Sequence, residues 1–174
     1  MKAPFALSVI GWSGVGKTTL VERLLSELRA RGLRVGVVKH SSDTHPLHRA
    51  DRDTDRFERG GAALVAFATP AGMQLTVKED PEKTLLPLLG RFADAVDLVL
   101  VEGWKGGPLP KLEVWREGHG PLLASTHPDV LAVVTDASKL PEAAPEGLRR
   151  FRTKEVHEIA MFIMRLAQEP AREP

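Results

Sequence analysis

Gly11-Trp12-Ser13-Gly14-Val15-Gly16-Lys17-Thr18 stands near the start of the chain. It fits G-x-x-x-x-G-K-[ST], the phosphate-binding loop of nucleoside triphosphatases. Each fixed position has a physical task. Glycines let consecutive backbone N–H groups curl around an anion with no Cβ in the way. Lys17 reaches the β- and γ-phosphates as a point charge. The Thr18 hydroxyl suits the magnesium that accompanies a nucleotide. A helix opening at this point adds the positive end of its dipole.

A motif this short also occurs as a plain glycine-rich turn, so the flanks decide. Phe5-Ala6-Leu7-Ser8-Val9-Ile10 precedes it, apolar and partly β-branched as a buried parallel strand is. Leu20, Val21, Leu24, Leu25 and Leu28 follow at helical spacing, and Gly32 after Arg31 marks a stop. The loop therefore joins a strand to a helix, which phosphate binding requires.

Further along, Arg34–Lys39 predicts a second strand, completing a β-loop-α-β unit with a right-handed crossover. Residues 40–52 read as a polar loop, and 53–59 as a short charged helix ending at Gly60-Gly61. Residues 63–68 and 73–77 predict an antiparallel hairpin turning at Thr69-Pro70-Ala71-Gly72. Asp80-Pro81 opens a helix that continues despite Pro87. Val96–Glu102 predicts the most apolar strand, Lys111–Arg116 a half-exposed strand by its alternation, and Val130–Thr135 another buried one. Residues 156–167 predict a closing amphipathic helix. The expected architecture is α/β: a three-layer P-loop NTPase fold with a mostly parallel sheet and an antiparallel hairpin extension. One nucleotide-binding domain is expected over residues 1–169, with a frayed tail at 170–174.

Composition narrows the partners. The chain has 174 residues, 43% hydrophobic and 27% charged, with a formal net charge of +1. Nothing there draws it toward nucleic acid or an anionic membrane. No apolar run approaches a membrane span, and the first residues lack a signal-peptide pattern, so a cytoplasmic protein is expected. The absence of cysteine excludes disulfides and thiolate metal sites.

Phosphoryl chemistry needs an acid near the metal, at the carboxyl end of a strand beside the loop strand. Glu102 ends the most apolar run, and Gly103 after it permits close backbone approach. Its alternative is a solvated strand end. Asp97 is a rival acid, but it stands at the strand's entry. Lys105 is either a phosphate contact or an ordinary surface lysine. Lys39 and His40 close the second strand at the same sheet edge. Asp53 and Arg56 lie one helical turn apart and read as a local pair. His45 and His48 fit no strong metal pattern. Asp136, ending a strand after Thr135, is the one acid placed to accept from guanine; it equally suits a turn cap.

Four blocks in order resemble the molybdopterin-guanine dinucleotide biosynthesis protein B family, MobB. They are Gly11–Thr19, Val38-Lys39-His40, Asp53–Phe57 running to Gly61-Ala62, and Leu98–Lys105; Trp104 stands where the family usually has phenylalanine. The resemblance implies GTP with Mg²⁺, slow intrinsic hydrolysis, and a homodimer assisting the nucleotidyltransferase MobA, which joins GMP to molybdopterin. It implies that Ser13, Gly14, Val15, Gly16, Lys17, Thr18 and Thr19 hold phosphates and that Thr18 and Glu102 serve the metal, with Lys17 and Glu102 carrying any hydrolysis. It places Lys39, His40, Asp53, Arg56, Gly103 and Lys105 along the adjoining cleft, open to an anionic molybdopterin or its guanine dinucleotide. The P-loop is shared with small-molecule kinases, for which Arg49, Arg52, Arg56 and Arg59 offer a lid. It is shared also with metal-delivery GTPases and with modules that merely bind phosphate.

Overall fold

A computed structural model describes residues 3–41, 52–77, 79–91 and 93–169. His45, His48, Arg49 and the tail at 170–174 lie outside them. The described residues pack as two units, one from residues up to Ser41 together with Leu89 onward, the other from Ser42–Leu88.

In the first unit, strands β1 (Phe5–Ile10), β2 (Val35–Lys39), β5 (Leu98–Glu102), β6 (Lys111–Val114), β7 (Val130–Val134) and β8 (Arg149–Phe151) form one sheet. Their order is β2-β5-β1-β6-β7-β8, and every pairing is parallel. Helices α1 (Lys17–Ala30) and α4 (Val156–Gln168) cover one face. Alternate strand residues Leu7, Val9, Leu98, Leu100, Leu112 and Val134 meet Leu20, Leu24, Leu28, Ile159 and Ile163 there, all nearly inaccessible. This is the period-2 strand meeting the 3.6-period helix. Ile10 and Val133 point to the other face, where they pack with Trp115 and a 3-10 turn at Leu123–Ser125. Helix α1 ends where Gly32 takes φ +83°, as its sequence predicts.

The second unit holds α2 (Arg52–Arg59) and the antiparallel hairpin of β3 (Leu64–Thr69) and β4 (Gly72–Val77). Helix α3 (Pro81–Arg91) contains Pro87. The hairpin is a sheet of its own and does not extend the parallel one.

One expectation needs correction, and one strand has no counterpart in the sequence reading. Lys111–Arg116 alternates as a half-exposed strand does, yet β6 is buried at all its positions. It lies inside the sheet between β1 and β7, and its charged residues are satisfied there by partners of their own. Strand β8 has no sequence signal: three residues, two of them arginine, pair along β7.

Asp97 stands at the entry of β5, as expected, and clamps Arg34 at the entry of β2. The Arg34 backbone N–H and Nη2 donate to its carboxylate at 2.8 and 2.7 Å. The side-chain bonds from Arg34, then the backbone bond, hold the Asp97 carboxyl down at about 2. A carboxyl lowered in the folded state stabilises above its unfolded value, near 3.9, and loses that contribution as pH falls through its folded value. Asp97→Asn should therefore be less stable than wild type above about pH 4, with the difference closing toward pH 2. Urea melts across that range check it; a pH-independent difference would show that the clamp contributes nothing through its charge.

Candidate functional site

The strand order reverses beside β1: the chain goes from β1 to β2 on one side and later to β6 on the other. Open parallel sheets place their ligand crevice at such a switch point, beyond the carboxyl ends of the strands. The P-loop leaves β1 there. Gly11 has φ +146°, and a Cβ on it would stand 2.3 Å from the Val114 carbonyl oxygen, so only glycine lets the loop leave beside β6. Gly16 adopts the left-handed conformation and opens α1, whose first turn has no acidic residue and no side-chain cap. Its leading N–H groups are thus left to a ligand. Val15 is buried and anchors the loop, while Ser13, Gly14, Thr18 and Thr19 form its exposed rim.

Thr18 Oγ1 donates to Glu102 Oε1 at 2.9 Å, joining the start of α1 to the end of β5. Glu102 is nearly buried. Lys39, its register partner on β2, places Nζ 3.9 Å from the same oxygen. Lys17 Nζ donates to the Trp12 carbonyl at 2.7 Å. Burial lowers the Lys17 pKa; Glu102 pulls it back up, and the charges of Lys105 and Lys39 push it down again. Lys17 thus feels two neighbouring ammonium groups and one carboxylate, a balance that suits a polyanion.

Gly103 has φ +95°, and a Cβ on it would meet the His40 carbonyl oxygen at 2.4 Å. Glycine there lets β5 turn away against the end of β2. Trp104 follows with φ 61°, buried, and stacks on His40 with ring centroids 5.7 Å apart. Lys105 then places its ammonium over the Trp12 ring, 4.0 Å from the centroid.

On the other flank lies a cavity of about 560 Å³. Gly14, Val15, Gly16 and Thr19 wall it on one side, the segment Val114–Glu117 after β6 on another, and Val134–Ala137 with Thr153 on the third. The Asp136 carboxylate accepts from the Thr153 backbone N–H at 3.0 Å and from its hydroxyl. Those bonds lower its pKa and keep it an anionic acceptor. Asp136 therefore lines the cavity and also ties β7 to the segment after β8.

The structure thus brings Ser13–Thr19, Lys39, His40, Glu102, Gly103 and Lys105 to one end of the sheet, and Asp136 to the adjoining cavity. Asp53 and Arg56 pair with each other on α2, 3.9 Å apart, in the second unit. Arg59 Nε donates to the Asp55 carbonyl at 3.2 Å, on that same helix. Among the described residues no cluster of three His, Cys, Asp or Glu side chains could hold a metal, and no helix is long and apolar enough to cross a membrane.

Sequence reasoning missed the supports. Trp12 Nε1 donates to the Pro121 carbonyl at 2.7 Å and Trp115 Nε1 to Gly120 at 3.1 Å. The buried Glu113 carboxylate accepts from Leu123 and Ala124 at 2.7 and 2.8 Å. Burial raises its pKa against those bonds. Together they fix the segment after β6 that walls the cavity. Trp12 inside the loop and Trp115 just after β6 were the available signal; nothing marked Glu113.

Comparison with known proteins bears on the chain's family and fold. A family model described as molybdopterin guanine dinucleotide synthesis protein B spans residues 6–136. A molybdopterin-guanine dinucleotide biosynthesis adapter protein of Haemophilus influenzae is 37% identical over 132 residues, 75% of this chain and 74% of that protein. Its counterpart of Escherichia coli is 34% identical over 137 residues, 75% of this chain and 77% of that protein. A crystal structure of molybdopterin-guanine biosynthesis protein B superposes with a TM-score of 0.71 at 31% identity, covering 95% of this chain and all of the other.

Proposed function

This chain belongs to the molybdopterin guanine dinucleotide synthesis protein B family, and on that premise we propose that it is a GTP-binding adapter in molybdenum cofactor biosynthesis. It assists the nucleotidyltransferase MobA, which attaches GMP to molybdopterin, and it acts as a cytoplasmic homodimer. The observation that carries the nucleotide reading is the 2.9 Å contact between Thr18 and Glu102, a hydroxyl from the P-loop helix meeting a carboxylate from mid-chain.

That pair suits magnesium. The ion takes oxygen ligands, uses one or two from protein, and completes its shell with water and phosphate. An ion held there by Thr18 and Glu102 would supply positive charge to offset the negative charge of the phosphates. Around it the chain's own groups divide the work. Lys17 binds the phosphates as a point charge, and the loop N–H groups orient them. Glu102 holds a water or the ion's shell in place. Lys39 and His40 present a strand end to a further anionic group, for which molybdopterin phosphate is the proposed ligand. The cavity beside Gly14 takes the base, with Asp136 accepting from N1–H and N2–H₂ of guanine.

With GTP and the transferase present, the protein should raise guanylylation of molybdopterin; no effect of adding it would overturn the adapter role. Calorimetry with GTP and ATP tests the base, and clear ATP preference would remove guanine. The Glu102→Gln variant should still bind nucleotide while its slow Mg²⁺-dependent hydrolysis falls by about a hundredfold. Retained turnover would clear Glu102 of its role.

A further inference from the structure

Trp12 occupies a position that the phosphate-loop pattern leaves open, yet it holds two ammonium groups. Its carbonyl oxygen accepts from Lys17 Nζ, and its ring carries Lys105 Nζ. The ring is itself fixed. Its N–H is bound to Pro121, and a Cβ on Gly120 would stand 2.9 Å from it. Lys105 follows Gly103 and Trp104, consecutive residues at positive φ, which turn the chain back from the end of β5. The buried Trp104 ring fixes that turn, and Gly107 packs beneath it so closely that a Cβ would meet the ring at 2.3 Å. The backbone at Lys105 is thus set by its neighbours, whereas its side chain is half-buried and rests on a cation–π contact.

Such a contact is weak beside a charge-assisted bond to phosphate. The sheet order gives the direction in which phosphates run. The cavity lies by the ends of β6 and β7, the P-loop leaves β1, and Glu102 and Lys39 end β5 and β2 on the far side. A nucleotide with its base in the cavity extends its terminal phosphate toward the β5 side, where Lys105 is rooted.

We propose that Lys105 is a second phosphate-binding cation, berthed on the Trp12 ring until a terminal phosphate draws it off, and that it selects nucleoside triphosphate over diphosphate. Trp12 is then a positioning residue for both lysines. The assignment rests on the nucleotide reading above and deepens it.

Calorimetry with GTP and GDP in Mg²⁺, on wild type, Lys105→Met and Lys105→Arg, tests it. Methionine keeps the length of the stem and removes the charge. Lys105→Met should bind GTP roughly tenfold or more weakly and GDP less than about threefold more weakly, while Lys105→Arg keeps the triphosphate preference. Tryptophan emission gives a second measure: GTP should change it in a way GDP does not, and Lys105→Met should lack that difference. A Lys105→Met protein that keeps the wild-type GTP:GDP ratio, or loses both nucleotides equally, overturns the assignment alone. A wild type that binds neither nucleotide overturns the nucleotide reading with it.

Discussion

Replacing Lys17 with alanine is expected to weaken GTP binding by about 2–4 kcal/mol, the cost of losing a charge-assisted contact in a partly desolvated site. The structure shows why the loss is large. The ammonium is partly withdrawn from water and donates to the neutral Trp12 carbonyl at 2.7 Å. A phosphate oxygen meets a cation that is pre-positioned and lightly held. The same surroundings predict that the apo variant does not lose stability. Burial and the charges of Lys105 and Lys39 disfavour the ammonium, against the attraction of Glu102. Removing it relieves crowding rather than breaking a needed pair. Calorimetry with GTP and a thermal melt of the apo protein separate the two effects. GTP binding unchanged in Lys17→Ala places the nucleotide elsewhere. Lys17→Arg is no rescue, because a planar fork does not replace a compact point charge inside this loop.

What the sequence disclosed of this site follows from locality. The P-loop is legible because its chemistry lies in consecutive residues, and Glu102 because it ends an apolar run. The hairpin announces itself by its turn residues. Groups satisfied by distant partners stay hidden. Lys111 and Glu113 flank Leu112 as solvated residues do, and only the assembled sheet shows them buried. The partners of Glu113 come from the 3-10 turn, and the Thr153 that grips Asp136 arrives after β8. Strand β8 has too few residues for a period, and its identity as a strand comes from β7. Trp12 falls in a variable slot of the motif, so the pattern that reveals the loop also draws attention away from the residue that braces it.

The largest stability effect is expected at Lys111. The side chain is 1% exposed, and its ammonium donates to the carbonyls of Gly107 and Leu109 at 2.6 and 3.0 Å and pairs with the Asp129 carboxylate. Lys111→Ala leaves two loop carbonyls without their donor and opens a cavity where the stem lay. Breaking a buried pair from one side and creating a cavity together are expected to cost about 3–5 kcal/mol. Asp129 softens the loss, because its side chain is 40% exposed and water can reach it. Lys111→Met refills the stem volume and should recover about 1–2 kcal/mol, leaving the unpaired carbonyls as the remaining cost. Urea melts of the two variants make the comparison, and a Lys111→Ala protein within about 1 kcal/mol of wild type would show the pair contributes little. The same ammonium pins the turn between β5 and β6 that carries Lys105. Lys111→Ala should therefore disturb stability and GTP binding together, whereas Lys105→Met should alter GTP binding and leave the melt in place. That contrast separates the residue that holds the turn from the residue that meets the ligand.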